Sequence, residues 1–251
     1  LNFVFITGTA GSGKSTLALS LEGRLHSSEV DVATVNLDPG VLWLPYTPDV
    51  DIRDYVNYER MIEEYKLGPN GALVACVDAA VNHVDEMKGE LEKLGPDYVL
   101  VDTPGQMELF AYRDSGTFIA SALSDNNFSV LFLADSLFLN RASDYVAVLL
   151  LASSINARFK VPQINCISKV DLLPKELYDR GLLWISDPEL LKEAFLAESH
   201  DLKTEMSERL LDMLIDIGAL GEFIFTSSNT GEGLDDLYAQ MQRVHTGGED
   251  R

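Results

Sequence analysis

Residues Gly8–Ser15 read GTAGSGKS, a run that fits G-x-x-x-x-G-K-[ST] between an apolar strand-like segment and a helix-like one. Glycines at 8, 11 and 13 let the main chain turn its N–H groups inward on an anion. The N-terminus of the next helix adds its positive end. In that arrangement Gly11, Ser12, Gly13, Lys14, Ser15 and Thr16 hold phosphates, with the Lys14 ammonium on the β- and γ-phosphates and the Ser15 hydroxyl on Mg2+. A glycine turn that merely packs a strand on a helix has no need of Lys-Ser at its end. The chemistry implied is binding of a nucleoside triphosphate.

Two further stretches follow strand-like segments. In VDTPGQME, Val101–Glu108, Asp102 is placed to hold Mg2+ through a water. Gly105 offers an N–H that can meet a γ-phosphate and move when it leaves, and Gln106 can orient an attacking water. In SKVD, Ser168–Asp171, the Asp171 carboxylate can accept from both N1–H and the 2-amino group of guanine. Adenine has neither donor on that edge, and a buried acceptor left unpaired can discriminate by roughly four orders of magnitude. The Lys169 stem can lie along the base face, and the TSS run Thr226–Ser228, centred on Ser227, can direct a backbone N–H at guanine O6. Alone, each of these stretches reads as an ordinary turn. In this order after a phosphate loop they read as one site.

The elements that must position them alternate strand and helix, which predicts an α/β fold with a mostly parallel sheet between two helical layers, the P-loop NTPase arrangement. Six strands are expected, at Leu1–Gly8, Val32–Leu37, Asp97–Asp102, Phe128–Asp135, Val161–Ser168 and Glu222–Ser228. Helices are expected at Ser15–Leu25, Glu108–Leu123, Arg141–Ala157, Pro188–Glu198, Lys203–Ile217 and Leu234–Gln242. Residues 1–251 read as one domain with helical insertions at about 51–94 and 172–221, and the terminal TGGEDR is expected to fray. The first insertion predicts two helices joined by KLGPNGAL, where Gly68 ends one, Pro69 cannot continue it and Asn70 caps the next. Leu73, Val77, Ala80, Val84, Met87, Leu91 and Leu94 recur at alternating spacings of four and three. That heptad pattern predicts a narrow seam, against either this chain or a partner subunit.

Composition excludes other classes. A net charge of −21 without a basic run argues against direct nucleic-acid binding and fits a soluble protein. No apolar run approaches bilayer length, and Leu1–Gly8 reads as a strand and not as a signal peptide. Cys76 and Cys166 lie in apolar segments and read as buried thiols of a reducing, cytoplasmic setting. Four scattered histidines give no zinc spacing.

Taken together, the motifs resemble those of GTPases, with Ser168 where the family motif has an Asn that braces the phosphate loop. Gly68-Pro69-Asn70 between two inserted helices, NLDPG (Asn36–Gly40) and DTPGQME further resemble the GPN-loop GTPases over nearly the whole chain. Without a long acidic tail it looks like a compact archaeal form. The resemblance implies a homodimeric, Mg2+-dependent switch that hydrolyses GTP to GDP, with the Gly-Pro-Asn loop of one subunit at the nucleotide of the other. It implies that Asn70 acts across that interface on the water or γ-phosphate, that Asp38, Gln106 and Glu108 position the water in cis, and that Lys14 serves the phosphates. Eukaryotic relatives are tied to RNA polymerase assembly, so a polymerase or an assembly factor is the implied kind of client. No arginine finger is evident, which predicts slow turnover. Three rivals stand beside this reading. An ATP-dependent dimeric switch of the deviant phosphate-loop type carries a lysine where this chain has Thr9. A small-molecule kinase needs an acceptor site and a basic lid. A non-hydrolysing scaffold would use GTP only to fix its dimer, and Gln106 and Glu108 lean against it.

Overall fold

Strand β1 (Asn2–Gly8) buries Phe3 and Phe5 in one layer and Val4 and Ile6 in the other. A strand apolar on both faces requires cover on both faces. The computed structural model describes residues 1–198, 204–216 and 223–246. Its sheet holds β1, β2 (Val32–Asn36), β3 (Val50–Asp51), β4 (Tyr98–Asp102), β5 (Phe128–Asp135), β6 (Gln163–Ser168) and β7 (Phe223–Phe225). Every pairing is parallel, in the order β3-β2-β4-β1-β5-β6-β7. The helices are α1 (Lys14–His26), α2 (Tyr58–Tyr65), α3 (Pro69–Ala80), α4 (Val84–Leu94), α5 (Met107–Phe110), α6 (Asp114–Leu123), α7 (Ala142–Phe159), α8 (Lys175–Ser186), α9 (Pro188–Glu198), α10 (Thr204–Asp216) and α11 (Leu234–Thr246). Helices α1 and α11 cover one face, and α3 to α10 contribute to the core on the other. This is the expected three-layer α/β P-loop fold.

The differences from expectation have local causes. Strand β3 escapes a periodicity reading because it has only two residues. Strand β6 starts after Pro162, which has no N–H to give and whose carbonyl accepts from Val130. The single helix expected over 108–123 is two, and Gly116 lets the second lie so close that a Cβ there would sit 2.1 Å from the Phe110 carbonyl oxygen. Helix α8 is an addition within the second insertion. The ends of the 203–217 helix, Glu222 and residues 247–251 lie outside the described residues.

The Gly-Pro-Asn corner is built differently from the sequence expectation. Lys66, in the left-handed region at φ 50°, closes α2, and Gly68 is the extended N-cap of α3. Pro69 takes the first helical position, where its missing N–H costs nothing, so Asn70 is not the cap. The heptad set is also not one helix, because a 3-10 turn at Val81–His83 separates α3 from α4. Val77, Ala80, Val84, Met87 and Leu91 are buried in this chain's own core, and Leu94 is 56% exposed. Of the two partners considered for the seam, the chain itself occupies it.

Candidate functional site

The carboxyl ends of β1, β2 and β4 open onto one cleft, lined by Gly11, Gly13, Lys14, Ser15, Thr16, Asp38, Asp102 and Gly105 among the predicted residues. Val41, Leu44 and Thr103 join them. The loop geometry is set locally. Gly13, at φ 90°, is the N-cap of α1 without any side-chain cap, which leaves its first N–H groups available to an anion. At Gly8 a Cβ would meet the Leu133 carbonyl oxygen at 2.0 Å, so only glycine lets β1 pass there. The Lys14 ammonium is buried and donates to the Gly8 and Thr9 carbonyls at 3.2 and 3.1 Å. Burial pushes its pKa down, while the Asp102 and Asp38 carboxylates pull it back up.

Asp102, at the end of β4, is 2% exposed. Burial pushes its carboxyl up to about 6, against the Ser15 hydroxyl, the Lys14 ammonium and the Tyr46 hydroxyl, which act in the opposite direction. Tyr46 donates to one carboxylate oxygen at 3.3 Å, and the other oxygen, Oδ1, is buried without a hydrogen-bond partner. An orphaned carboxylate oxygen beside a serine hydroxyl at a phosphate cradle fits a hard divalent cation, which needs few protein ligands once phosphate oxygens and water complete its shell. Unfolded, this carboxyl titrates near 3.9, so between about pH 4 and pH 6 the folded state binds more protons than the unfolded one. Its stabilising contribution is complete below about pH 4 and is lost as pH rises through 6. Urea denaturation of the nucleotide-free protein should show wild type losing stability relative to Asp102→Asn across that window. A flat difference would contradict the shift.

On the phosphate side, Asp38 bridges two loops. Its Oδ1 accepts from Gly40 N–H at 3.0 Å and its Oδ2 from Gly105 N–H at 3.3 Å. Asn36, fully buried at the end of β2, accepts from Asp38 N–H at 3.0 Å and donates to the Asp38 carbonyl at 3.2 Å. A Cβ on Gly40 would come 2.5 Å from the Leu73 side chain, so α3 lies directly against this loop.

On the base side, Lys169 has φ 60° and reaches back over the phosphate loop, donating to the Gly11 carbonyl and to Asp135 at 2.6 Å each. Asp171 is exposed, unlike the buried acceptor expected from sequence. The Ser227 hydroxyl and the Asn229 amide, the latter at 3.2 Å, hold its carboxyl below the usual carboxylate range. Ser227 N–H is taken by the Glu232 carbonyl at 3.0 Å and Thr226 N–H by that of Ile167 at 2.7 Å. Ser227 therefore meets this site through its hydroxyl and not through its backbone. Ser168 keeps a brace despite replacing Asn: its hydroxyl lies 2.7 Å from the Ser12 carbonyl and 3.1 Å from that of Ala134. Ser168→Ala should leave the Ser12 carbonyl unpaired, cost about 1–3 kcal/mol in urea denaturation, and weaken nucleotide binding. Unchanged stability and affinity would show that the brace carries nothing.

Residues 6–246 match the family model described as "Conserved hypothetical ATP binding protein". The GPN-loop GTPase PAB0955 of Pyrococcus abyssi is 34% identical over 236 residues, covering 93% of each chain. This chain belongs to the GPN-loop GTPase family. The apo crystal structure of PAB0955 superposes with a TM-score of 0.85 at 33% identity, covering 97% of both chains. GPN-loop GTPase 1 of Schizosaccharomyces pombe is 31% identical over 93% of this chain. The chain spans 66% of that relative's length and 60% of its Dictyostelium discoideum counterpart.

In this member of the family the predicted residues do not all meet. Gln106 follows Gly105 but is exposed and makes no cap to α5, and Glu108 is exposed on that helix. Asn70 is exposed on the first turn of α3, and neither it nor Gln106 nor Glu108 lines the cleft. Tyr46, Asp51, Arg53 and Asn229 are polar neighbours of the site that motif reading missed. Of these, only Asn229 carried a signal, by adjoining the recognised TSS run; Asn36, which holds Asp51, stands inside the recognised NLDPG run.

Proposed function

We propose that this chain hydrolyses GTP to GDP and phosphate as a homodimeric, magnesium-dependent switch, a single domain whose Gly-Pro-Asn loop acts in trans. The observation that carries the reading is Lys169 crossing from the base-side loop to the Gly11 carbonyl. That contact supports reading the Lys169–Asp171 loop and the phosphate loop as two parts of one nucleotide site. Asp171, held by Ser227 and Asn229, is an acceptor pair for guanine and would leave adenine without a partner. This favours GTP, although the matching family model is described as ATP binding.

Hydrolysis then depends on alignment and charge. Lys14 exchanges the Gly8 and Thr9 carbonyls for phosphate oxygens. Asp38 gives up Gly105 N–H to the γ-phosphate, which frees its carboxylate to orient water together with Gln106 and Glu108. Ser15 and Asp102 would hold a magnesium ion, which neutralises charge on the β- and γ-phosphates when bound. Asn70, exposed on the first turn of α3, supplies its amide to the partner's nucleotide. No helix among the described residues is long and apolar enough to cross a membrane.

Calorimetry with GTP, GDP and ATP, followed by single-turnover hydrolysis with and without Mg2+, tests the proposal. Tight GTP binding and Mg2+-dependent phosphate release are expected. Binding without release would favour the scaffold reading, and preference for ATP would remove the guanine assignment.

A further inference from the structure

Asp38 belongs to a segment clamped at both ends by polar groups that the mechanism above leaves idle. At the near end, the Asn36 amide holds the Asp38 backbone N–H and carbonyl and donates onward to Asp51 Oδ1 at 2.9 Å. Asp51, 8% exposed at the end of the two-residue edge strand, is gripped by Arg53, with Nε 2.9 and 3.0 Å from its two oxygens and Nη2 2.5 Å from Oδ2. At the far end, Arg53 Nη1 donates to the Val41 carbonyl at 3.1 Å. Asn36 and Arg53 therefore pin the two sides of Asp38–Val41, and Asp51 joins the two pins.

We propose that Asp51 and Arg53 are positioning residues for hydrolysis, holding the Asp38 segment so that its carboxylate meets the attacking water once a γ-phosphate has taken Gly105 N–H. The inference rests on the GTPase reading. Geometry supports it over a purely scaffolding role. Asp38 Oδ2 occupies the N–H that a γ-phosphate would use, so the carboxylate must be displaced when GTP binds. Its remaining bond to Gly40 N–H and its backbone bonds to Asn36 then decide where it points. A bidentate guanidinium–carboxylate pair fixes direction as well as distance, which a lysine in place of Arg53 would not do.

The test compares the unmodified chain with Asp51→Asn, Arg53→Met, Arg53→Lys, Asp38→Asn and the Asp38→Asn/Asp51→Asn double variant. Single-turnover hydrolysis, GDP affinity and urea denaturation are measured on each. Phosphate release by the unmodified chain comes first, and its absence would remove the GTPase reading and this inference with it. Given release, Asp51→Asn and Arg53→Met should lower kcat about 10- to 100-fold, as loss of sub-ångström alignment does, with GDP affinity within about twofold. Arg53→Lys should recover part of the loss. The double variant should be no slower than Asp38→Asn alone, because residues acting as one unit are not additive. Multiplicative losses, an unchanged kcat, or GDP affinity falling in step with kcat would each overturn the proposal. Arg53 lies at the surface, so the Lys and Met variants keep the test decisive even where Asp51→Asn folds poorly.

Discussion

Asp171→Asn is expected to reverse base choice, weakening GTP by about 10- to 100-fold, the loss of hydrogen bonding to a charged acceptor, while XTP becomes the better ligand. The substitution turns one acceptor oxygen into an amide donor. Guanine then faces a donor with its own 2-amino donor, whereas xanthine presents a carbonyl oxygen there. The surroundings make the result clean to read. Asp171 is exposed, and its partners Ser227 and Asn229 can still bond an amide, so the fold has little reason to respond. Calorimetry with GTP and XTP in Mg2+ reads the ratio, and thermal denaturation should show an unchanged Tm. Retention of GTP affinity by the variant would mean that the base is recognised elsewhere.

The second large effect is expected at Asn70. Removing one aligned polar group from a phosphoryl-transfer site costs on the order of 100-fold in kcat, so Asn70→Ala should lose about that much while binding GTP normally. Structure separates this from damage to the corner. Gly68 and Pro69 provide the helix start, and Asn70 sits at the second helical position, exposed, where alanine is the better helix former. Unfolding of the corner by Asn70→Ala would therefore favour a merely structural role. A mixing experiment isolates the trans contact. Subunits carrying Lys14→Ala keep an intact loop, and subunits carrying Asn70→Ala keep an intact cradle. Random pairing in a two-fold dimer leaves about a quarter of the sites complete, so the mixture should approach a quarter of wild-type turnover. Activity no higher than either variant alone would place Asn70 in cis or outside the reaction.

Much of the site was legible because its main parts are written contiguously. Gly8 to Ser15 carry their own conformational instructions in glycines, and an anion cradle needs little beyond those backbone turns. Strands β4 and β5 were found residue for residue at their carboxyl ends, because buried parallel strands are unbroken apolar runs ending at the polar site. Reading failed where a local pattern had two spatial solutions. Alternating spacings of four and three suit one long helix, but they equally suit α3 and α4 stepping around Val81–His83 onto one core.

What the amino-acid order carried by itself is the phosphate loop, the Asp102–Gly105 turn and Asp171 as the proposed base-side acceptor, since each is a short segment whose chemistry is carried by its own residues. The tertiary structure alone decided which distant groups hold them: Ser168 on the Ser12 carbonyl, Tyr46 on Asp102, and Asn36 on Asp51. These partners stand 156, 56 and 15 residues apart, on elements that meet only when the sheet assembles. A single hydrogen bond across such a gap leaves no period and no composition behind, so it becomes visible only once parallel pairing has brought the strand ends together.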